Sequence, residues 1–146
     1  NYLKKSKARK DDIMKHLLKE ALHARQHAYA PYSKFKVGAA IKLKNGMVIY
    51  GANIENASFG LTSCAERNAL FSLYSQGYQK DDIVSITIVA EDHRPVSPCG
   101  ACRQVMHELM PHDTKIYLAN TQGDIKETSL EELLPYAFEL DEHHDH

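Results

Sequence analysis

Between residues 11 and 28 the apolar positions recur at helical spacing. Ile13, Leu17, Ala21, Ala24 and Ala28 form one stripe, and Asp11 or Asp12 stands where an N-terminal cap is needed. Tyr29-Ala30-Pro31-Tyr32-Ser33 breaks that pattern. Residues 35–43 then read as a strand, Asn45-Gly46 as a tight hairpin turn, and residues 47–53 as the returning strand. A polar loop containing Gly60 covers 54–63. A second helix is expected over 65–76, with Ala69, Leu70 and Leu73 inward and Gly77 past its end. Residues 83–90 are a β-branched run of the kind a buried strand needs. After a loop with two prolines, residues 100–110 predict a third helix stopped by Pro111. A short strand at 115–119 and a short helix at 129–134 follow.

The order α-β-β-α-β-α-β-α places a sheet between helices. The hairpin makes that sheet mixed rather than all parallel. With 146 residues and no internal repeat or linker, one domain over 1–146 is expected. Its ends are read as peripheral: residues 1–10 as a basic, partly frayed arm (Lys4, Lys5, Lys7, Arg9, Lys10), and 139–146 as an acidic, His-rich tail. Glu142-His143-His144-Asp145-His146 has metal-binding side chains, but a disordered tail is the simpler expectation.

Composition narrows the function. The hydrophobic share is 43%, the charged share 25% and the formal net charge -1, so no overall basic field invites nucleic acid or an anionic membrane. No apolar run approaches the roughly 20 residues of a membrane helix, and no secretory apolar segment is visible. Three cysteines, two of them spaced Cys-x-x-Cys, suit metal binding in a reducing cytoplasm better than a disulfide framework.

All three cysteines lie in two short motifs, Cys64-Ala65-Glu66 and Pro98-Cys99-Gly100-Ala101-Cys102. Both fall where the chain enters a helix, whose free N–H groups and positive dipole end favour a thiolate. Three sulfurs with no fourth cysteine suggest a zinc site with one position left open, as in catalytic rather than structural sites, although a histidine could close it. Three thiolates leave the ion with a formal charge of about -1, which works against acidifying a water and calls for compensation. The helix dipoles supply some. Arg67 is a candidate donor to a cysteine sulfur; its plainer reading is a surface salt-bridge residue. Glu66, in the first helical turn, is placed to accept and deliver protons, where otherwise it would merely complement the dipole.

Cys-x-Glu followed by Pro-Cys-x-x-Cys is the pattern of zinc-dependent nucleobase deaminases. The chain moreover resembles the small, homotetrameric, zinc-dependent cytidine deaminases over about residues 13–138. The resemblance is carried by residues 30–40 (APYSKFKVGAA), 51–58 (GANIENAS), 64–67 (CAER) and 97–104 (SPCGACRQ), and by Leu133-Leu134-Pro135 with Phe138. It implies a three-layer α/β/α fold with a five-stranded mixed sheet, one zinc ion per subunit, and hydrolytic deamination of cytidine and deoxycytidine with release of ammonia. By the same resemblance Phe35 packs on the pyrimidine and the backbone around Ala65 touches the base. Asn53 and Glu55 bind the sugar hydroxyls, and Phe138 reaches into a neighbouring subunit's site. From strand geometry alone, Phe35 would share a face with Val37 and pack in the core. Loop solvation is the plain alternative for Glu55, and an ordinary terminal hydrophobe for Phe138. Phe59 stands where relatives can carry Tyr.

A carboxylate at Glu55 beside the sugar would repel a 5′-phosphate, so a free nucleoside is expected rather than a nucleotide or polynucleotide. Three rivals differ in chemistry. A blasticidin S deaminase would share the zinc motifs but not need the sugar pair. A structural zinc module binding nucleic acid would need a basic field that is absent. A catalytically dead assembly subunit would not need Glu66.

Overall fold

The computed structural model describes residues 2–140. The element order is α1 (Tyr2–Arg25), β1 (Val37–Leu43), β2 (Val48–Ala52), α2 (Ala65–Ser75), β3 (Ile83–Ala90), α3 (Gly100–Leu109), β4 (Lys115–Asn120), β5 (Ile125–Thr128) and α4 (Leu130–Leu133), with a 3-10 turn at Phe59–Leu61. Five strands form one sheet in the order β2-β1-β3-β4-β5. The β3–β4 pair is parallel and the other three pairs are antiparallel.

Strand burial explains which faces the helices cover. Ala39, Ile41 and Leu43 of β1, with Ile86 and Ile88 of β3, pack against Ala69, Leu70 and Leu73 of α2 and Met106 of α3. Ala40, Val89 and Ala119 point the other way, onto Ala21, Leu18 and Leu22 of α1. The sheet is therefore the middle of three layers. Burial on both faces is why β3 reads as an unbroken apolar run. Two glycines set how closely the layers approach. A Cβ on Gly38 would sit 2.2 Å from the Ala21 carbonyl oxygen, and one on Gly51 would sit 2.4 Å from that of Ala65.

The expected elements are present with altered ends. α1 starts nine residues before residue 11, so the basic arm is helical rather than frayed. Lysine, alanine and arginine are good helix formers, and no Gly or Pro interrupts them. Lys10 also donates to Glu127 on β5 at 3.0 Å. Asp11 and Asp12 are consequently interior to the helix and cap nothing, and Ile13 faces solvent. The helix ends at Arg25 instead of residue 28, because Tyr29 pairs with Ile54 in a parallel bridge. Strand β5 does not appear in the hydrophobic pattern, although the family resemblance implied five strands. The His-rich end from residue 141 onward lies outside the described residues.

Topology creates the site. β2, β3 and β4 run the same way, and β1 runs opposite to them. The chain therefore leaves β2 and β3, and enters β1, at the same sheet edge. α2 follows β2 and α3 follows β3, so both helices begin at that edge.

Candidate active site

Each group at this edge is held by a local device. At the end of β2, the buried Asn53 side chain accepts the Val37 N–H at 2.8 Å and donates to the Phe35 carbonyl at 2.8 Å. β1 begins at Val37, beyond that clamp, and Phe35 stays 39% exposed, beside a cavity rather than in the core. Asn53 keeps one N–H and one lone pair unused by these two bonds. Two residues on, the Glu55 carboxylate accepts the backbone N–H groups of Tyr32 and Ser33, each at 3.0 Å, and the Ser33 hydroxyl. The hydroxyl above all, then these amides, holds the Glu55 carboxyl below its ordinary range.

Cys64 is the N-cap of α2 in extended conformation, and its sulfur makes no capping bond. Cys99 is the N-cap of α3 and accepts the Cys102 N–H at 3.4 Å. The two sulfurs of α3 are 3.3 Å apart, and all three cysteine sulfurs lie within 4.8 Å of one another. Tetrahedral bonds of about 2.3 Å to zinc set sulfurs roughly 3.8 Å apart, so the cage has the right dimensions and the right donors. Cys102 is buried and Cys64 half-buried, whereas Cys99 is exposed. No histidine shares this cluster among the described residues.

Electrostatics agree with the geometry. A hydrogen bond from Cys102 brings the Cys64 thiol down to about 5 against the opposing effect of burial, and Arg67 lowers it further. That same bond, together with burial, pushes the Cys102 thiol up. The Arg67 guanidinium Nη2 donates to the Cys64 sulfur at 3.3 Å. Glu66 is 4% exposed, and burial above all raises its carboxyl above the usual carboxylate range.

A cavity of about 280 Å³ collects these groups: Phe35, Asn53, Glu55, Cys64, Ala65, Glu66 and Cys99 all line it. Val37, Ile88 and Val96 supply apolar wall. Phe138 is not part of the lining; it is 70% exposed, with its carbonyl accepting from the Gln104 side chain at 3.0 Å.

Sequence reasoning assigned no role to two supporting residues. Ser33 orients Glu55, as described. Arg103, directly after Cys102, donates to the Pro98 carbonyl at 2.8 Å, the Leu133 carbonyl at 2.7 Å and the Ser97 hydroxyl at 2.7 Å. It fixes the loop that presents Cys99. Its signals in the sequence were its place beside a ligand and within the 97–104 stretch that carries the resemblance.

Comparisons with known proteins identify the family. The family described as the cytidine and deoxycytidylate deaminase zinc-binding region matches residues 11–118. The cytidine deaminase of Halalkalibacterium halodurans is 61% identical over 129 residues, covering 88% of this chain and 96% of that protein. The cytidine deaminase of Sporosarcina psychrophila is 47% identical over 122 residues, covering 84% and 88%. The crystal structure of the Burkholderia pseudomallei cytidine deaminase superposes with a TM-score of 0.82 at 52% identity, covering 84% of this chain and 97% of that one.

Proposed function

The chain belongs to the cytidine and deoxycytidylate deaminase family, and from that premise we propose that it hydrolyses the C4 amino group of free cytidine and deoxycytidine, giving uridine and deoxyuridine with release of ammonia. The observation that carries the proposal is a buried carboxylate, Glu66, lining one cavity with Cys64 and Cys99, two of the three clustered cysteines.

Cys64, Cys99 and Cys102 would hold one zinc ion, which would supply an acidified water as nucleophile. Glu66 accepts a proton from the attacking water and delivers it to N3 of the pyrimidine. It then takes the proton of the new C4 hydroxyl and passes it to the departing amine, so that the C4–N bond breaks, ammonia leaves and the C4 carbonyl forms. Phe35 packs on the pyrimidine face, and the backbone at Ala65 meets the base edge. The free N–H and lone pair of Asn53 and the ionised Glu55 hold the sugar hydroxyls. Arg67 and the starts of α2 and α3 offset the negative charge of three thiolates.

The Glu55 carboxylate at the sugar end disfavours a 5′-phosphate, which supports a free nucleoside as substrate. Nothing in the reaction calls for nucleic acid as partner. No helix among the described residues is long and apolar enough to cross a membrane, and the free thiol cage suits the cytoplasm. Exposed Phe59, Leu61 and Phe138 support assembly as a homotetramer in which Phe138 enters a neighbouring site. The deciding assay follows loss of the cytosine chromophore, with ammonia release, on protein of known zinc content with and without chelator. Cytidine turnover that vanishes with zinc is the expected result. Equal turnover of cytidine 5′-phosphate would overturn the nucleoside assignment, and turnover that persists in zinc-free protein would overturn the mechanism.

A further inference from the structure

Beyond the sulfur cage, the described residues contain a second group with metal-binding chemistry. His107, His112 and Glu139 bring one donor atom each to within 4.8 Å of one another. We propose that these three residues form a separate site for a divalent first-row cation, which fastens the C-terminal segment to the end of α3.

Four observations carry this. The donors come from three separate places: His107 from the last turn of α3, His112 from the turn after it, and Glu139 from the segment beyond α4. The His107 Nε2 lies 2.8 Å from a Glu139 carboxylate oxygen, with the His107 side chain only 12% exposed. The two imidazole rings are neighbours, with centroids 5.0 Å apart and planes tilted by 30°. Two imidazoles and a carboxylate are a familiar donor set for zinc, which binds them at about 2.0–2.2 Å. Finally, the three residues line a cavity of about 260 Å³ with a second carboxylate, Glu131, on its wall. The nearby C-terminal end of α3 carries partial negative charge, so the field there favours a cation.

The site differs in kind from the sulfur cage. Its nitrogen and oxygen donors fit any of several first-row ions, and affinity would follow the usual order with copper and zinc above cobalt and manganese. Its effect is mechanical. The segment it would hold carries Phe138, whose carbonyl is already bound by Gln104 of α3. A cation bridging His107, His112 and Glu139 would add a second tie next to that aromatic.

The test uses the full chain, loaded with its catalytic zinc, in which His143, His144 and His146 are replaced by alanine so that the terminal histidines contribute nothing. Zinc chloride is titrated calorimetrically into this holoprotein. One further equivalent per chain is expected, with affinity falling at least about tenfold in His112→Ala and in Glu139→Gln, as loss of a donor requires. His112 and Glu139 are exposed, so neither substitution threatens the fold. In a parallel titration with cobalt chloride, ring-proton signals of His107 and His112 should broaden together. The proposal is overturned if no further equivalent binds, or if it binds equally well to the His112→Ala protein.

Discussion

Replacing Gly51 with alanine tests whether the contact between β2 and α2 sets the geometry of the site. The new Cβ would meet the Ala65 carbonyl oxygen at 2.4 Å, the Ala69 nitrogen at 2.4 Å and the Ala69 Cβ at 2.7 Å. Two of these are helix backbone atoms, which cannot swing aside. Ordinary contact starts at 3.4 Å, so the first turns of α2 must retreat from the sheet by about 1 Å. Cys64 and Glu66 flank Ala65 and travel with it, while Cys99 and Cys102 stay with α3. A misplacement of about 1 Å costs on the order of 10²-fold in rate. Overpacking should also cost about 2 kcal/mol, or about 4–8 °C in Tm for a chain of this length. The control is Gly46→Ala, where a Cβ meets nothing but the φ of +90° is strained. It should lose about 1 kcal/mol or slightly more and keep its turnover. Steady-state kinetics, zinc content and thermal unfolding are measured on both. Gly51→Ala with undiminished kcat, whatever its Tm, would show that this contact does not position Cys64 and Glu66.

Other outcomes follow from the same site. Glu66→Gln should retain zinc, by elemental analysis, and lose roughly 10²–10⁴-fold or more in kcat, because the amide accepts no proton. Arg103→Ala removes donors from Pro98, Leu133 and Ser97; zinc transfer to a chromogenic chelator should show affinity weakened by about 10–100-fold. Glu55 keeps its charge below its ordinary value of 4.5, so KM for cytidine should stay flat as pH falls to that value and rise only beneath it. In Ser33→Ala the rise should begin at higher pH, because the main cause of the lowered value is gone; initial rates across a pH series would read both. The sign for stability is the same. This depressed carboxyl stabilises the fold above 4.5, and that contribution is lost as pH drops through the folded value.

What the chain revealed in advance follows the range of the interactions involved. β3 was legible to its ends, since burial on both faces demands a continuous apolar run. β5 was not: four residues, Ile125-Lys126-Glu127-Thr128, are too few to show alternation, and the strand exists through its pairing with β4. The sulfur pair of α3 could be read from its spacing, because that contact is local. Its union with Cys64 depends on which sheet edge the helices begin at, and only the motif pattern hinted at that. Phe35 shows a local rule losing to a tertiary one. Alternation would bury it with Val37, but the Asn53 amide bonds the backbone at both residues and the strand begins only at Val37. Arg103 was opaque because two of its three acceptors are main-chain carbonyls, which leave no mark in a sequence, and one lies 30 positions away.

The shared sheet edge has a corollary for engineering. The hairpin turn at Asn45-Gly46 protrudes from the opposite pole, and a side chain built on Gly46 would meet no neighbour. A guest domain spliced in there would hang from the far side of the sheet, leaving the catalytic mouth clear. Such a chimera would couple the guest's folding to the two strands whose far ends carry Asn53 and Phe35, so that guest unfolding could be read out as loss of deamination.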